Sequence, residues 1–491
     1  MIANAPVHLQ HRGLVSLALV RQLLSSTIET ESHWIKDLSD REFAAEFTRI
    51  AHAKSFMLRW QADPDFRAQV STDPAQAVAR YNLQVDPEEI KPFWAPEFLE
   101  PLRASGKLPI LAQRCQDFIQ ASEERICTDR IDTSHNRQYQ AWRSRQIERL
   151  SGQVSQFIAQ GVMHAPLSFE LSKGCSVGCW FCSVSAPTLN DIFLYTPENA
   201  RLWQDILQLL KNVLGTAAAS GFCYWATDPL DNPHYEQFLC DFHAILGVFP
   251  QTTTAQSLKD IARTKSLLKL ALEKGGKLNR FSILSLKMFD RVSAAFTPEE
   301  LAFVGLVLQN QEAGMVKANA GRMRDRNEHQ AAKSNTAVDT SLPTTNACVS
   351  GFLFNLVDRN VKLISPYPAS DLWPHGYRIY TEGTFNTVAE LTAFIDRAIE
   401  THMPLTLRSS DLLQFRSDLK YEEFEDGFQV STRFLTLKFR NEAYLKQLGQ
   451  MILQGDKTVA QITSLFNILG VNEVTTRAAL NLMFEKGIFE D

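Results

Sequence analysis

Three of the eight cysteines in the chain lie within eight residues, in the stretch LSKGCSVGCWFCSVSAP. A closed structural zinc site takes four ligands, commonly as two spaced pairs, whereas Cys175, Cys179 and Cys182 supply three and no fourth cysteine is near them in sequence. Three thiolates can hold three irons of a [4Fe–4S] cluster and leave the fourth iron open to a small molecule. The spacing C-x3-C-x2-C therefore predicts one such cluster with a reactive iron.

Composition narrows the class of protein around this motif. The chain has 491 residues, 45% of them hydrophobic, and a formal net charge of -5, so the overall balance gives no reason to expect nucleic acid as a partner. Its first residues, MIANAPVHLQHRG, lack a basic region followed by an apolar core, and no run approaches the roughly 18 apolar residues of a membrane span. We expect a cytoplasmic protein without a membrane partner, in which eight cysteines are not a disulfide framework.

The first 160 residues are predicted to form a mostly helical domain. The stretch EFAAEFTRIAHAKSFMLRWQA at 42–62 has helical apolar spacing, and DPDFRAQVSTDPAQAVARYNLQVDPEEI adds two Asp-Pro helix starts.

Residues 161–385 have the texture of an α/β domain. Short apolar runs (LSFEL, GFCYWA, FSILSL and GFLFNLV) alternate with helical segments such as ARLWQDILQLLKNVLGTAAA and SLLKLALEKG. The polar, weakly periodic segment 315–346 is predicted to be a surface loop or a lid.

A connecting region is predicted at 386–427, followed by a small domain at 428–491. There GFQVSTRFLTLKF reads as strands, and NEAYLKQLGQMILQ, TVAQITSLFNIL and TRAALNLMFEKG read as three short helices.

The motif CSVGCWFC, with aromatic Phe181 just before its last cysteine, resembles the signature of the radical S-adenosylmethionine (SAM) superfamily. The resemblance implies a partial (β/α)6 barrel, flanked here by the helical N-terminal domain and the small C-terminal domain. It also implies that SAM chelates the open iron and that one electron from the cluster cleaves SAM to methionine and a 5′-deoxyadenosyl radical. The cofactors supply the difficult chemistry, while the protein orients them and excludes water.

The same resemblance implies positions for the contacts to SAM. Asp228, followed by Pro229, stands where such barrels usually carry Glu-Pro after two glycines, although the glycines are absent here. Its alternative interpretation is a plain strand-end turn residue. The strand RFSILSLKMFD resembles the one with ribose-contacting hydroxyls, so Ser282 and Ser285 are expected on one strand face, either as SAM contacts or as satisfied strand serines.

A narrower resemblance links the stretch at 63–90 and ISPYPASDLWPHGYRIY to radical SAM peptide epimerases of proteusin-type peptide maturation. These enzymes convert L-residues to D-residues in a ribosomally made precursor peptide that has a leader. Residues 454–490 resemble the helices of a winged-helix peptide-recognition element. A winged helix can also bind DNA, but few Lys or Arg residues occur here, which favours peptide. An electron donor such as flavodoxin or ferredoxin is the second implied partner.

Inversion at a Cα radical needs a hydrogen atom delivered from the opposite face, and a thiol is a natural donor. Cys348 lies just before a late strand, in the region where the family has its donor cysteine, so it is predicted to have this role, with structural burial as the alternative. Four cysteines remain, each predicted to be a small buried side chain: Cys115, Cys127, Cys223 and Cys240. Too few cysteines follow residue 300 for an auxiliary cluster.

Other functions remain open at this stage. Another peptide-modifying radical SAM enzyme would crosslink or methylate its substrate. A tRNA-modifying enzyme is disfavoured by the acidic balance, and a non-catalytic iron–sulfur protein would consume no SAM.

Overall fold

Helices dominate the first part of the chain, and helices alternate with short strands through the middle. The computed structural model describes residues 38–95, 108–127, 134–276 and 278–490, with the single positions Arg21 and Glu97, and within 121–127 it describes the backbone alone. The helices are α1 Asp40–Ala62, α2 Pro64–Thr72, α3 Pro74–Arg80, α4 Lys91–Trp94, α5 Ile110–Cys127, α6 Arg137–Gln153, α7 Gln156–Gly161, α8 Pro197–Leu214, α9 Tyr235–Leu246, α10 Ile261–Glu273, α11 Leu286–Ala295, α12 Pro298–Leu301, α13 Arg322–Ser334, α14 Val388–His402, α15 Ala443–Gln454, α16 Val459–Ile468 and α17 Glu473–Glu485.

Fourteen short strands form five sheets within the described residues. The strands are β1 Ala165–Glu170, β2 Ser172–Lys173, β3 Asp191–Ile192, β4 Thr253–Thr254, β5 Asn279–Ile283, β6 Val304–Leu308, β7 Val349–Asn355, β8 Asn360–Pro366, β9 Tyr377–Thr384, β10 Leu412–Leu413, β11 Lys420–Phe424, β12 Gly427–Ser431, β13 Thr436–Phe439 and β14 Lys457–Thr458. The two larger sheets of the α/β region have the orders β1-β7-β8-β9 and β4-β5-β6. The protein is therefore of the mixed α/β class.

The chain forms two compact units, each built from separate stretches of sequence. Of the described residues, unit one contains those up to 127, 228–230 and 248–315, and unit two contains 134–227, 231–247 and 316–490.

Unit one starts with the predicted helices. Ser39 and Glu42 form a capping box that begins α1. Asp63 and Asp73 then cap α2 and α3, each followed by a proline at the first helical position, where the missing N–H costs nothing. The mostly helical character of this block is confirmed for its described residues.

The first helices of unit one pack aromatic side chains of α1 and α5 against residues near α10 and β6. Phe43, Phe47 and Phe118 share one core with Leu272 and Phe303. In addition, Lys54 Nζ donates to the carbonyl oxygens of Leu301, Ala302 and Val304, with donor–acceptor distances of 2.6–3.1 Å. The sheet of this unit, β4-β5-β6, is parallel throughout.

Unit two contains the four-stranded sheet, in which β1 and β7 are parallel and β8 and β9 continue antiparallel. At the carboxyl ends of β1 and β7 lies Glu170, whose carboxylate accepts hydrogen bonds from Ala226 N at 2.9 Å and Asn355 Nδ2 at 2.8 Å. Burial raises the pKa of Glu170 above its usual value. This carboxyl group joins three segments where the strands end.

The C-terminal part of unit two has its own core. The antiparallel sheet β11-β12-β13 packs with α15, α16 and α17 around Phe428, Leu448, Ile462 and Leu480. The predicted strands and three helices are confirmed here. The same core includes Leu407, and β11 precedes residue 428, so the predicted boundary at 428 falls inside this sheet.

Two predictions of secondary structure are wrong. The segment 315–346 contains the 13-residue helix α13. The sequence did not predict this helix, because α13 buries no residue and therefore shows no apolar stripe. The run GFCYWA forms no named strand and contributes one parallel bridge, between Ser168 and Phe222.

The helices α6 and α7 belong to unit two, although they lie inside the predicted N-terminal domain.

The β1–β7 pairing depends on a glycine. The register shifts between Ala165 and Leu167, which brings the carbonyl oxygen of Pro166 against the Cα of Gly351. A Cβ at position 351 would overlap that backbone oxygen, so Gly351→Ala should force the strands apart and cost about 2 kcal/mol or more. We expect a lower thermal unfolding midpoint and less soluble protein.

Gly305→Ala in β6 is the matched control. The nearest atoms to a Cβ at position 305 are side-chain carbons of Arg280 and Leu278 at 3.4 Å, an ordinary contact. This variant should unfold at nearly the wild-type temperature. Equal effects of the two substitutions would contradict the described β1–β7 register.

Candidate functional site

The cysteine loop, defined as residues 174–187, follows the carboxyl end of β1. Strand β2 leads into it and β3 leads out, paired antiparallel through Ser172 with Ile192 and Lys173 with Asp191. At the base of the loop, Cys175 N donates to the carbonyl oxygen of Pro187 at 2.9 Å. The loop is thus closed on itself where it leaves the sheet.

The three cysteines of the loop are partly exposed residues, and the sulfur atoms of two of them accept from backbone N–H groups. Cys175, Cys179 and Cys182 are free thiols at partly exposed positions. The N–H of Val177 donates to Cys175 Sγ at 3.5 Å, and the N–H of Ala186 donates to Cys182 Sγ at 3.4 Å. These two contacts place backbone N–H groups against the sulfur atoms of the first and third cysteines.

A buried carboxylate fixes the first cysteine. Asp231 is 6% exposed, and its two oxygens accept from Ser176 N at 2.9 Å and from Ser176 Oγ at 2.6 Å. Ser176 follows Cys175 directly, so Asp231 determines where the backbone turns after that thiol.

The last cysteine is held from the other side by the start of α13. Arg322 N donates to Cys182 O at 3.0 Å, and the Arg322 guanidinium donates to the carbonyl oxygens of Cys179 and Ala186. Gly321 precedes it with a φ of 52°, and a Cβ there would overlap the Ser183 and Cys182 carbonyl oxygens. Backbone and side chain of α13 therefore clamp the loop.

Two aromatic residues and two cations lie at the tip of the loop. Trp180 is 47% exposed, and its ring meets that of Phe181 edge to face at 5.2 Å. The Arg326 guanidinium lies 4.5 Å from the Trp180 ring centre, and Lys317 Nζ lies 5.1 Å from that of Phe181. The predicted role of Phe181 in cofactor binding stays a prediction.

The arrangement of the three cysteines distinguishes a site for a single metal ion from a site for an iron–sulfur cluster. Within the described part of the chain, no group of three or more His, Cys, Asp or Glu side chains is placed to hold one metal ion. A [4Fe–4S] cluster takes one thiolate at each of three irons, so its ligands do not meet at a single ion. Three partly exposed free cysteines, two of them with N–H···S contacts, are a donor set chemically suited to such a cluster.

Cys348 lies at the amino-terminal end of β7. Its carbonyl oxygen accepts from Ala165 N at 2.8 Å, at the start of β1, whereas the cysteine loop follows the carboxyl end of β1. The loop nevertheless returns to this segment, because Ser183 Oγ donates to Asn346 Oδ1 at 2.6 Å.

Cys348 is a partly exposed residue and packs against a buried cluster that includes Phe222 and Val349, as Tyr224 and Tyr377 also do. Burial raises the pKa of Tyr377 to about 12, so its hydroxyl stays protonated at neutral pH. The donor role of Cys348 stays a prediction.

Asp228 is buried within unit one and its carboxylate already has donors. It accepts from Thr254 Oγ1 at 2.7 Å, Ala255 N at 2.8 Å and Leu230 N at 3.0 Å. These bonds tie the turn after residue 226 to β4, which matches the interpretation of Asp228 as a structural turn residue. Its predicted contact with SAM is not tested by this geometry.

The expectation that Ser282 and Ser285 share a strand face is wrong. Strand β5 ends at Ile283, and Ser285 is the N-cap of α11, accepting from Met288 N at 3.2 Å. Residues three apart also point to opposite faces of a strand. Ser282 remains on the partly exposed face of β5, so a role as a SAM contact stays a prediction for both serines.

The remaining cysteines divide by burial. Cys115 and Cys223 are fully buried, as predicted, and burial raises the pKa of Cys115 to about 12. Cys240 is partly exposed, so its predicted burial is wrong. The side chain of Cys127 lies outside the described residues.

Sequence reasoning missed the residues that hold the loop. Asp231 lies three residues after Asp228, and this second carboxylate in the turn DPLDNP was the available signal. The segment interpreted as a surface loop contains Lys317, Gly321 and Arg322. There, a glycine followed by arginine-rich sequence was the signal for a helix that begins against the cysteine loop.

None of the helices described in the structure combines the length and the hydropathy that crossing a membrane requires.

The chain is 35% identical over 470 residues to the uncharacterized protein y4wI of Sinorhizobium fredii, an alignment that covers 94% of this chain and 90% of that relative. No family model matches the chain, and no solved structure matches it.

The Asp231 anchor can be tested without reference to any activity. Asp231→Ala leaves Ser176 N–H without its acceptor, and such a loss costs roughly 1–3 kcal/mol. We expect hydrogen–deuterium exchange of the amides at 175–182 to accelerate by about tenfold or more.

Asp191→Ala is the control, because the exposed Asp191 carboxylate accepts from the adjacent Ile192 N at the outer strand of the same hairpin. It should leave exchange in the cysteine loop nearly unchanged. Equal acceleration in both variants would show that Asp231 is not the anchor.

Proposed function

The chain belongs to the same family as the uncharacterized protein y4wI, whose name states no activity. From the chain's own residues, we propose that the protein is a radical SAM enzyme that inverts L-residues to D-residues in a ribosomally made precursor peptide. The observation that carries this proposal is the cysteine loop, with three partly exposed free cysteines, backbone donors to two sulfurs and anchors on both sides.

Cys175, Cys179 and Cys182 would hold one [4Fe–4S] cluster, which when reduced supplies the electron that cleaves SAM to methionine and a 5′-deoxyadenosyl radical. Arg322 and Asp231 keep the three thiols in place, because each binds loop backbone beside a cysteine. The partial (β/α)6 barrel belongs to this proposal, supported by the parallel pairing of β1 with β7 and of β4, β5 and β6 within their own sheets.

The chain's own contribution to inversion is the return of a hydrogen atom. In the proposal, Cys348 Sγ–H gives its hydrogen to the peptide Cα radical on the face opposite the abstraction, forming the D-residue and a cysteine thiyl radical. One electron from a carrier such as flavodoxin or ferredoxin and one solvent proton then restore the thiol. The contact between Ser183 and Asn346, which links the cysteine loop with the segment before Cys348, supports this assignment.

Recognition of the precursor is assigned to the C-terminal part of unit two. A three-stranded antiparallel sheet beside three helices supports the winged-helix resemblance, and β13 pairs with β12 alone among the described strands. The free side of such an edge strand is able to take up an extended peptide through main-chain hydrogen bonds.

The first test concerns the cluster. Anaerobic reconstitution should give about four irons per chain, because three thiolates and one open position describe one cluster. Replacing Cys175, Cys179 or Cys182 by Ala should remove both the iron absorbance and SAM cleavage.

Cys240→Ala, a partly exposed cysteine outside the loop, is the control and should retain the full iron content. About eight irons would reveal a second cluster, and iron retained by all three loop variants would end the proposal.

The second test separates the two hydrogen transfers. Wild-type product made in D2O should carry one deuterium at each inverted Cα, because a thiol hydrogen exchanges with solvent before it is delivered. Cys348→Ala should still form 5′-deoxyadenosine, while D-residues fall by about tenfold or more. Mass spectrometry and chiral amino-acid analysis of the peptide make the measurement.

Retained iron absorbance and SAM cleavage in Cys348→Ala control for misfolding. Normal D-residue formation by this variant would overturn the donor assignment. A peptide product that is two hydrogens lighter would indicate crosslinking instead of epimerisation. A product that is heavier by about fourteen daltons would indicate methylation. SAM that stays intact would indicate a non-catalytic iron–sulfur protein.

A further inference from the structure

Lys317 has a buried ammonium group for which the described part of the chain offers no hydrogen-bond acceptor. Its Nζ is shielded from solvent and has no hydrogen-bond partner among the described residues. Lys54 shows the ordinary solution for an enclosed lysine in this chain, since its Nζ donates to three carbonyl oxygens. Lys317 lacks any such set.

The position of Lys317 is fixed relative to the cysteine loop. Its Nζ lies 5.1 Å from the ring centre of Phe181, which stands between Cys179 and Cys182 in the sequence. A few residues on, Gly321 and Arg322 hold this segment against the loop backbone. The ammonium is therefore part of the surroundings of the three thiols.

The energetics leave this charge uncompensated. The attraction between a cation and an aromatic ring is smaller than the cost of removing an ammonium from water. Burial lowers the pKa of Lys317, and no carboxylate among the residues that the structure describes offsets that effect. An anion beside Nζ would restore the balance and form a charge-assisted hydrogen bond.

We propose that Lys317 binds the carboxylate of a ligand beside the cysteine loop. The inference rests on the proposed function, in which two ligands bring carboxylates to this place. One is the amino-acid end of SAM, and the other is an acidic side chain of the substrate peptide. The shared chemistry is a carboxylate that accepts from Nζ and lies near Phe181.

The experiment uses the full-length protein with its cluster reconstituted. Lys317→Met keeps most of the apolar stem and removes the charge. Calorimetric titration compares SAM with decarboxylated SAM, and a short peptide containing aspartate with its asparagine counterpart. The loss of one charge-assisted hydrogen bond should weaken binding of the matching carboxylate ligand by about tenfold or more.

Weaker binding of SAM with unchanged binding of decarboxylated SAM would support SAM as the source. A loss confined to the aspartate peptide would support the substrate. Lys333→Met, an exposed lysine in the last turn of α13, should change neither affinity.

Unchanged affinities for both carboxylate ligands in Lys317→Met would overturn the proposal. A reduced iron content with unchanged affinities would also overturn it, because the ammonium would then face the cluster itself. These outcomes are distinct from a failure of the proposed function, in which the wild-type protein would assemble no cluster and bind no SAM.

Discussion

The hydrogen bonds that hold the cysteine loop are the constraint on which the candidate site depends. A loop of this length with three partly exposed thiols would sample many arrangements in water, and fixing it costs conformational entropy at every residue. Asp231 fixes the turn after the first cysteine, and Arg322 fixes the carbonyl groups around the second and third. The loop is thereby arranged before any ligand binds, which reduces the entropy that binding has to overcome.

This arrangement also sets the electrostatics around the sulfur atoms. Backbone N–H groups approach two of the thiols, the first turn of α13 meets the loop, and cations lie against both aromatic rings at its tip. All of these place positive charge or positive dipole ends around the loop. Such surroundings favour anionic ligands, which agrees with the proposed chemistry without depending on the protein's net charge of -5.

The sequence predicted the parts whose signals are local. Each of these signals lies within one short segment: Asp-Pro helix starts, apolar stripes and the spacing of three cysteines. They predicted the apolar helices, β1, β7 and the C-terminal elements. The anchors could not be predicted in this way. Asp231 lies 55 residues from Ser176, and Arg322 lies 143 residues from Cys179, the loop residues whose backbone they bind. In addition, α13 has no apolar face that would indicate a helix. Ser285 shows the opposite error, since a local hydroxyl pattern was taken for a strand face although its side chain caps a helix.

The separation of these anchors in sequence has a consequence for biosynthesis. When the three cysteines leave the ribosome, Asp231 is still to be made, and Arg322 follows only after more than a hundred further residues. During translation at about 5–20 residues per second, the thiols therefore remain in an unclamped segment for several seconds and are open to oxidation or to stray metal ions. Delivery of iron to a nascent chain would meet ligands that are not yet arranged. The order of synthesis favours metal loading after the strand β7 and the helix α13 have formed, so the completed fold, rather than the cysteine motif alone, is the form prepared to accept it.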